Sequence, residues 1–364
     1  MDRKSTETAH RGAGSGPFGS SPKGLISSRP SGGGGYGPLV GFIGAGVVGK
    51  ALALALHRAG YPVVAAASRR LSSAQALAGP IDGCQACPEP QAVVDAAELV
   101  FIAVPDDAIG AVVEALAWRP GQMVVHTSGA SSTDILSPAS MIGALVGSFH
   151  PLQTFAGVEE ALASLPGTTF ALEGDPELLA VLQGMAEALR GRWLVLSPGD
   201  KALYHAAAVL VSNYTVALVD AACQLWQQLG VEPAQAVGAL LPLLKGTVSN
   251  IERLGLPQCL TGPIARGDVD TVRRHLSALA ERASALLPLY RELGLLTIPL
   301  GLAKGSLSRA AAERLLRFLQ DKGGWLPASR LDAPDDGAAG EAYVAVPHRL
   351  GSLAVGHAQI GKEE

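Results

Sequence analysis

The chain has 364 residues, of which 48 % are hydrophobic and 16 % are charged, and its formal net charge at pH 7 is −4. This length predicts about two domains, each with a well-buried core. The weak negative charge gives no electrostatic basis for binding nucleic acid. Four cysteines do not make a disulfide framework in so large a chain, and Cys84-x-x-Cys87 lacks the second pair that a zinc site needs. We therefore expect no metal and no nucleic-acid partner, with the cytoplasm as the default compartment.

The two ends of the chain differ in composition from its middle. Residues 1–38 are rich in Gly, Ser and Pro and lack the apolar core of a signal peptide, so we expect a disordered tail. Helical periodicity is lost again from residue 326. Residues 326–364 are expected to form a C-terminal extension, either a second loose tail or a docking segment.

A glycine-rich turn follows the apolar run Leu39–Ile43, and a helical pattern continues from it to Gly60. Strand, Gly-x-Gly-x-x-Gly and helix in this order are typical of a dinucleotide-binding site. The first glycine permits the tight turn, the second lets a pyrophosphate approach the backbone, and the third lets helix and strand pack closely. Free N–H groups at the helix start then face the phosphates. The alternative is a glycine turn that binds nothing. The predicted cofactor contacts here are Gly44, Ala45, Gly46, Val47, Val48 and Gly49.

Short apolar runs alternate with helical patterns up to residue 196, which predicts a parallel sheet with helices on both faces. From about Asp200 only helical patterns remain. We therefore predict a doubly wound α/β Rossmann domain over residues 39–196, followed by an all-α domain over residues 197–325. The predicted strands are 39–43, 63–67, 99–104, 123–126, 144–149, 168–172 and 193–196, and the predicted helices include 47–59, 72–78, 109–118, 200–229, 233–253, 269–294 and 308–320.

Residues 204–222 are apolar enough to suggest a membrane span. Polar side chains interrupt this segment, however, among them His205, Asn213 and Asp220. A buried central helix is therefore the better interpretation, and we expect no membrane partner.

The second predicted strand ends at Ser68, Arg69 and Arg70. An NAD site needs an acidic residue near this point to hold the ribose hydroxyls, and no carboxylate is present there. A guanidinium group instead suits the 2′-phosphate of NADP through paired charge-assisted hydrogen bonds. The three residues are predicted to select NADP(H). The alternative is that both arginines are merely solvated loop charges.

The next two strands end at the edge where open α/β sheets bind their cofactor. Asp106 or Asp107 is expected to cap the helix that follows the first of them. The second strand ends at His126, which is either part of the site or an ordinary strand-end residue. A small polar turn follows it and is expected near the nicotinamide. The predicted cofactor contacts at this edge are Val104, Pro105, Asp106, Ser128 and Gly129.

His150 leaves the next strand and is followed by Pro151, so its ring is expected in the same crevice. Hydride transfer to a carbonyl or imine needs a proton donor, and histidine has a suitable pKa. In the first long helix, Lys201, His205 and Ser212 project to one side of an otherwise apolar surface, with Asn213 at the rim. Such a stripe indicates either a site or a self-satisfied polar network. We predict that His150, Lys201, His205 and Asn213 are catalytic.

These motifs, together with Leu260–Asp268, resemble a bacterial branch of the Rossmann-like oxidoreductases whose C-terminal domain is similar to that of 6-phosphogluconate dehydrogenase. That group includes β-hydroxyacid dehydrogenases, pyrroline-5-carboxylate reductase, prephenate dehydrogenase and deazaflavin-dependent NADP oxidoreductase. The resemblance implies that His150 lies near the substrate, as in the similar Gly-x-His-Pro turn of prephenate dehydrogenases. It places Lys201 at the catalytic lysine of β-hydroxyacid dehydrogenases, with His205 where they carry an asparagine. It also implies a homodimer through the helical domain.

The segment Thr261–Asp268 is predicted to be a substrate-facing loop, with Asp268 as the N-cap of the next helix. Thr261 and Arg266 are the predicted substrate contacts, because a guanidinium group can hold a substrate carboxylate as a fork. Pairing of Arg266 with a neighbouring acid is the alternative.

The predicted function is an NADP(H)-dependent oxidoreductase that transfers a hydride to or from a small oxo or imino acid. Ketopantoate reductase-like activity is a candidate that the resemblance suggests. The alternatives are a non-catalytic sensor that binds NADP(H) and a deazaflavin-dependent NADP oxidoreductase.

Overall fold

The computed structural model describes residues 18–19 and 37–320, and it contains one nine-stranded sheet. The predicted tails at 1–38 and 326–364 otherwise lie outside the described residues. The strands are β1 (Phe18–Gly19), β2 (Val40–Ile43), β3 (Val63–Ala67), β4 (Gln85–Cys87), β5 (Leu99–Ile102), β6 (Met123–His126), β7 (Leu145–Pro151), β8 (Thr169–Gly174) and β9 (Arg192–Val195).

The strand order is β1-β9-β8-β7-β6-β5-β2-β3-β4, and the six strands from β7 to β4 are parallel neighbours. The order reverses between β2 and β5, which is the topological switch point where doubly wound sheets open a crevice for a ligand. Strand β8 runs antiparallel to β7, and β1 runs antiparallel to β9. The predicted doubly wound Rossmann fold is confirmed.

Helices cover both faces of the sheet, as the alternating pattern predicts. The helices of this part are α1 (Val47–Arg58), α2 (Leu71–Ala78), α3 (Pro90–Ala96), α4 (Ile109–Glu114), α5 (Ser137–Ser140), α6 (Val158–Ser164) and α7 (Pro176–Ala188). Aromatic residues hold the centre of one layer: Phe42 stacks on Phe101, and Phe149 stacks on Phe170, with ring centroids 5.0 and 4.6 Å apart. All four rings are fully buried, so the strands that lead to the crevice share one rigid core.

The helical pattern beyond Asp200 is confirmed, with two interruptions. Residues 200–229 form two helices that meet at Ser212, and residues 269–294 divide at a short 3₁₀ turn, Ser284–Leu286. The helices are α8 (Lys201–Val211), α9 (Asn213–Gln227), α10 (Pro233–Leu254), α11 (Pro263–Arg266), α12 (Val269–Arg282), α13 (Leu287–Lys304) and α14 (Arg309–Gln320).

Internal contacts divide the chain after Asp220, so α8 and the first half of α9 group with the sheet. The second unit has its own apolar core, in which Val272, Leu276 and Ile298 pack with Leu315 and Leu319. Asp268 caps α12 as predicted, because its Oδ1 accepts a hydrogen bond of 3.0 Å from the Thr271 N–H.

The prediction of a buried helix over residues 204–222 is wrong for the single chain. The apolar side chains of α8 and α9 are largely exposed, with Leu203 at 77 % and Val211 at 78 % of full exposure. Two stretches of the described chain, Lys201–Gln227 and Ser284–Lys304, have the length and composition of membrane-crossing helices. An apolar pattern in the sequence predicts that a helix is shielded from water. It does not predict whether the same chain, a second protein or a membrane shields it.

Candidate functional site

The glycine turn between β2 and α1 is shaped by two close backbone approaches. Gly44 has φ of +108°, and a Cβ at this position would collide with the carbonyl oxygen of Ala103 at the end of β5. A Cβ at Gly49 would collide with the carbonyl oxygen of Gly44. The first and third glycines therefore close the turn and seat α1, as the fingerprint predicts.

Gly46 differs from the other two glycines, because a Cβ built on it would meet no atom within 4 Å. It is the N-cap residue of α1 in an extended conformation, and no side chain caps this helix start. The space beside this helix start is therefore open, and a Cβ on Gly46 would obstruct a ligand there. This arrangement fits the pyrophosphate of a dinucleotide, which the N-terminus of a helix stabilises by hydrogen bonds and by its dipole.

Ser68, Arg69 and Arg70 follow β3 directly, next to the glycine turn in the sheet order. Both arginine side chains are exposed, and neither forms an ion pair within the described chain. Arg70 occupies the N-cap position of α2 without capping it. Two uncommitted guanidinium groups at this end of β3 fit a ribose 2′-phosphate.

The ends of β2, β5, β6 and β7 enclose a cleft with a volume of about 360 Å³. Most of the predicted cofactor contacts of this region are in its wall, together with His150. The lining residues are Gly46, Val47, Val48, Ala103, Val104, Pro105, Asp106, Thr127, Ser128, Gly129, His150, Pro151, Gln153 and Phe155.

Neither Asp106 nor Asp107 caps a helix, and that prediction is wrong. A 3₁₀ turn, Asp106–Ala108, begins without any side-chain cap, and α4 follows from Ile109. The Asp106 carboxylate instead accepts a hydrogen bond of 2.7 Å from the Ser128 hydroxyl, whose oxygen accepts from the N–H groups of Ala130 and Ser131. This network ties the end of β5 to the end of β6 and fixes one wall of the cleft.

The His150 ring has one hydrogen bond within the described chain: its Nδ1 lies 2.8 Å from the Tyr204 hydroxyl. Burial, reinforced by the charges of Lys201 and His205, lowers the pKa of His150 to about 4, and burial raises the pKa of Tyr204. Tyr204 is a site residue that no sequence motif indicates. Its only signal in the sequence is its place one residue before His205, in the first turn of the helix.

His126, Ser148 and Glu173 lie side by side on β6, β7 and β8, and all three are buried. Lys201 covers this row: its Nζ bonds the Ser148 hydroxyl and lies 3.9 Å from a Glu173 carboxylate oxygen. Lys201 is only 2 % exposed, although it is the first residue of α8. Burial lowers its pKa to about 8, against the opposing effect of Glu173 and Asp106.

His126 belongs to this buried row and does not line the cleft. Its Nδ1 accepts a hydrogen bond of 3.2 Å from the Ser128 N–H, while its Nε2 makes no hydrogen bond of normal geometry. Burial, with a further contribution from the Lys201 charge, lowers its pKa to about 3, although the nearby Ser132 carbonyl opposes this shift. His126 is therefore a neutral core histidine.

His205 and Asn213, the other residues predicted to be catalytic beside His150 and Lys201, are not part of the cleft wall. The centroid of the His205 ring lies 6.3 Å from that of His150, and its side chain is half-buried. Asn213 is exposed at the start of α9. Thr261 and Arg266 are exposed residues of the second unit. Thr261 precedes α11, and Arg266 is the last residue of that helix. Their roles in catalysis and substrate binding stay predictions. Within the described ranges, no cluster of three or more His, Cys, Asp or Glu side chains could hold a metal ion.

Two family models match the chain. The model described as a Rossmann-like domain matches residues 37–151, and the model described as a domain of unknown function, DUF2520, matches residues 168–297. No curated protein matches the chain in sequence.

Solved structures share the fold over most of the chain. Protein TM1727 from Thermotoga maritima is 28 % identical, with a TM-score of 0.59, over 73 % of this chain and 100 % of that one. BF3122 from Bacteroides fragilis, which bears the name of an NADP oxidoreductase, is 25 % identical, with a TM-score of 0.57, over 72 % and 98 %. A reductive aminase from Aspergillus terreus, solved with NADPH and ethyl-5-oxohexanoate, is 19 % identical, with a TM-score of 0.53, over 76 % and 98 %.

The last of these similarities shows the fold alone. The two sequence matches give the organisation of the chain, and β8 and β9 of the sheet lie within the second match. It consists of a Rossmann-like domain followed by a C-terminal domain of the DUF2520 family.

Proposed function

We propose that this protein is an NADP(H)-dependent oxidoreductase that transfers a hydride to or from a small oxo or imino acid. The observation that carries the proposal is the position of His150. Its ring lies in the wall of the same cleft as Gly46 and Ser128, at the switch point of the sheet. A side chain that can donate a hydrogen bond to the reacting group thus stands beside the residues that fit a dinucleotide.

In this proposal, each group of site residues has its own role. The glycine turn and the start of α1 hold the pyrophosphate, and Arg69 and Arg70 hold the 2′-phosphate. Asp106 and Ser128 keep the wall between the strand ends in place. The nicotinamide supplies or accepts the hydride when the cofactor is bound. His150 donates a hydrogen bond to the oxygen or nitrogen of the group being reduced, and the buried Lys201 fixes the start of α8 against β7 through Ser148.

The names of two similar proteins support the cofactor. BF3122 is named for NADP, and the aminase was solved with NADPH. The substrate class rests on the cleft and on the resemblance of the motifs. Ketopantoate reductase-like activity remains one candidate within it, and the cytoplasm remains the proposed location.

The test is oxidation of NADPH by the full chain against a panel of 2-oxo acids, cyclic imines and ketopantoate. We expect turnover with at least one member, and a loss of about a hundredfold in kcat for His150→Ala with the affinity for NADPH retained. Tight NADPH binding without turnover on any member would contradict the enzyme and would favour a sensor. Absence of NADPH binding would contradict both.

We also propose that the protein is a homodimer, through the apolar surface formed by Leu203, Leu210 and Val211 of α8 and by Tyr214 and Val216 of α9. All five side chains are exposed in the single chain. Several large apolar side chains exposed on two successive helices are typical of an interaction site. A second copy suits it better than a lipid bilayer, because the first residue of the same helix is a buried lysine bonded to β7.

A further inference from the structure

We infer that Tyr204 is a positioning residue that sets the tautomer of His150 and so presents an Nε2–H donor to the substrate. This inference deepens the proposed function and rests on it. It concerns a residue of α8 that lies behind the catalytic ring and does not itself line the cleft.

The geometry of the pair restricts the His150 ring. The Tyr204 hydroxyl lies 2.8 Å from Nδ1, and the two rings are nearly perpendicular, with an interplanar angle of 87° and centroids 5.6 Å apart. On the opposite side of the ring, Nε2 faces Gly129: a Cβ built on this glycine would lie 2.7 Å from Nε2. Gly129 is in the cleft wall, so Nε2 is the nitrogen on the cleft side.

The direction of the hydrogen bond follows from what each partner can do. The Tyr204 hydroxyl is a partly buried donor whose only hydrogen-bond partner within the described chain is His150. Leaving its proton unpaired would carry a desolvation cost, whereas donation to Nδ1 satisfies both groups. Its raised pKa keeps the phenol protonated at neutral pH, so the donor persists.

A neutral imidazole carries one proton, on either Nδ1 or Nε2. The hydrogen bond from Tyr204 determines which of the two nitrogens carries it. When Nδ1 accepts from the phenol, the ring proton must be on Nε2. The depressed pKa of His150 means that this neutral form dominates at pH 7. The cleft therefore presents a neutral N–H donor rather than an imidazolium. This donor polarises the carbonyl or imine group by a hydrogen bond, and the proton that completes the reduced product comes from solvent water.

Lys201 holds Tyr204 in place. Lys201 and Tyr204 are three positions apart on α8, and their partners Ser148 and His150 are two positions apart on β7. Three helical residues advance about 4.5 Å and two strand residues about 6.6 Å, so two side-chain bonds can connect one helical turn to one face of the strand. The first turn of α8 is thereby fixed against β7.

The test is Tyr204→Phe in the full chain, read by nitrogen NMR of the His150 ring and by steady-state kinetics. We expect wild-type protein to show a protonated Nε2 and an unprotonated Nδ1, and the variant to show a mixture of tautomers. We expect kcat to fall about tenfold, with the KM for NADPH unchanged, because one hydrogen bond that orients the donor is lost.

Tyr290→Phe is the matched control. Tyr290 bonds Nδ1 of His275 at 2.7 Å with the same perpendicular ring arrangement, but this pair lies in the second unit. Its loss should leave kcat and the His150 signals unchanged. A wild-type His150 protonated on Nδ1, or a tautomer and kcat unaffected by Tyr204→Phe, would overturn the inference. The NMR measurement needs no substrate, so it stands even if the proposed reaction fails.

Discussion

Gly129 and His150 are in such close contact that the absence of a side chain at position 129 determines where the imidazole can lie. A Cβ at Gly129 would come within 2.7 Å of His150 Nε2, 2.9 Å of Cε1 and 3.0 Å of Cδ2. Three ring atoms would have to move together. The other edge of the ring is held by Tyr204, so the movement would break that bond or displace the ring from the cleft wall.

We therefore expect Gly129→Ala to lower kcat more than tenfold while the protein remains folded, because a small displacement of a catalytic group is costly. Single-turnover hydride transfer measures the effect. Gly238→Ala is the control, since a Cβ at that glycine would meet nothing within 4 Å. Equal activity of the two variants would mean that His150 does not act in the cleft.

The arginines after β3 predict cofactor selectivity. Arg69→Glu combined with Arg70→Ala should weaken NADPH binding about tenfold or more, since charge-assisted hydrogen bonds to the 2′-phosphate are lost, and should leave NADH binding near its original value. Calorimetric titration of each cofactor measures this. Arg309→Ala, at an exposed arginine of the second unit, is the control. Equal losses for both cofactors would remove the case for a phosphate site.

The buried histidine of β6 predicts a loss of stability in acid. The pKa of His126 is about 3 in the folded protein and about 6.5 unfolded, so the unfolded state binds the proton first. Its stabilising contribution is present above pH 6.5 and decreases by about 3 kcal/mol as the pH falls to 4. Denaturant unfolding should show this decrease, reduced in His126→Phe. A wild-type slope in His126→Phe would contradict it, and exposed His275→Gln is the control.

Lys201 predicts that the free energy of unfolding also rises with pH, in this case in base. Its pKa is about 8 in the folded protein against an ordinary value of 10.5, so the unfolded state binds more protons between these two values. The free energy of unfolding should therefore gain about 3 kcal/mol from this group as the pH rises from 8 to 10.5. In Lys201→Met this gain should be absent. The two proteins should be compared by how steeply their free energies of unfolding change with pH. Their absolute values differ for another reason, because Glu173 without its lysine will lower the stability of the variant at every pH.

The exposed surface of α8 and α9 predicts self-association. Leu210→Glu with Val211→Glu should convert a dimer into a monomer in sedimentation experiments, because burying two carboxylates in an apolar interface is costly. Met141→Glu is the control, since Met141 is 79 % exposed but lies elsewhere, after α5. A wild-type monomer at all concentrations would contradict the proposal. Binding of the monomer to lipid vesicles would point to a membrane surface instead.

Local signals were sufficient for most of the fold. The glycine turn, β3 and β6 follow from short apolar runs and from backbone requirements that act within a few residues. Strand β4 was missed because Gln85–Cys87 is three residues long and carries no apolar run. Its position is set by pairing with β3, which is a property of the sheet and not of the segment.

The site was harder to predict because its contacts join distant parts of the chain. Gly46, Ser128 and His150 were assigned to one crevice because strand ends of a parallel sheet meet at one edge. Tyr204 was not, since its partner is 54 residues away and a tyrosine at a helix start has no distinctive pattern. The burial of Lys201 likewise cannot be predicted from the local sequence. Its partners Ser148 and Glu173 are on two different strands and become neighbours only when the strands pair.

Helix α8 brings together two features that were described separately. Tyr204 reaches His150 from one side of the helix, while Leu203 and Leu210 are exposed to water. If two copies join through the exposed residues, association and catalysis share one helix, and mass action links them. The rate per molecule would then depend on protein concentration and would fall on dilution below the dissociation constant of the pair.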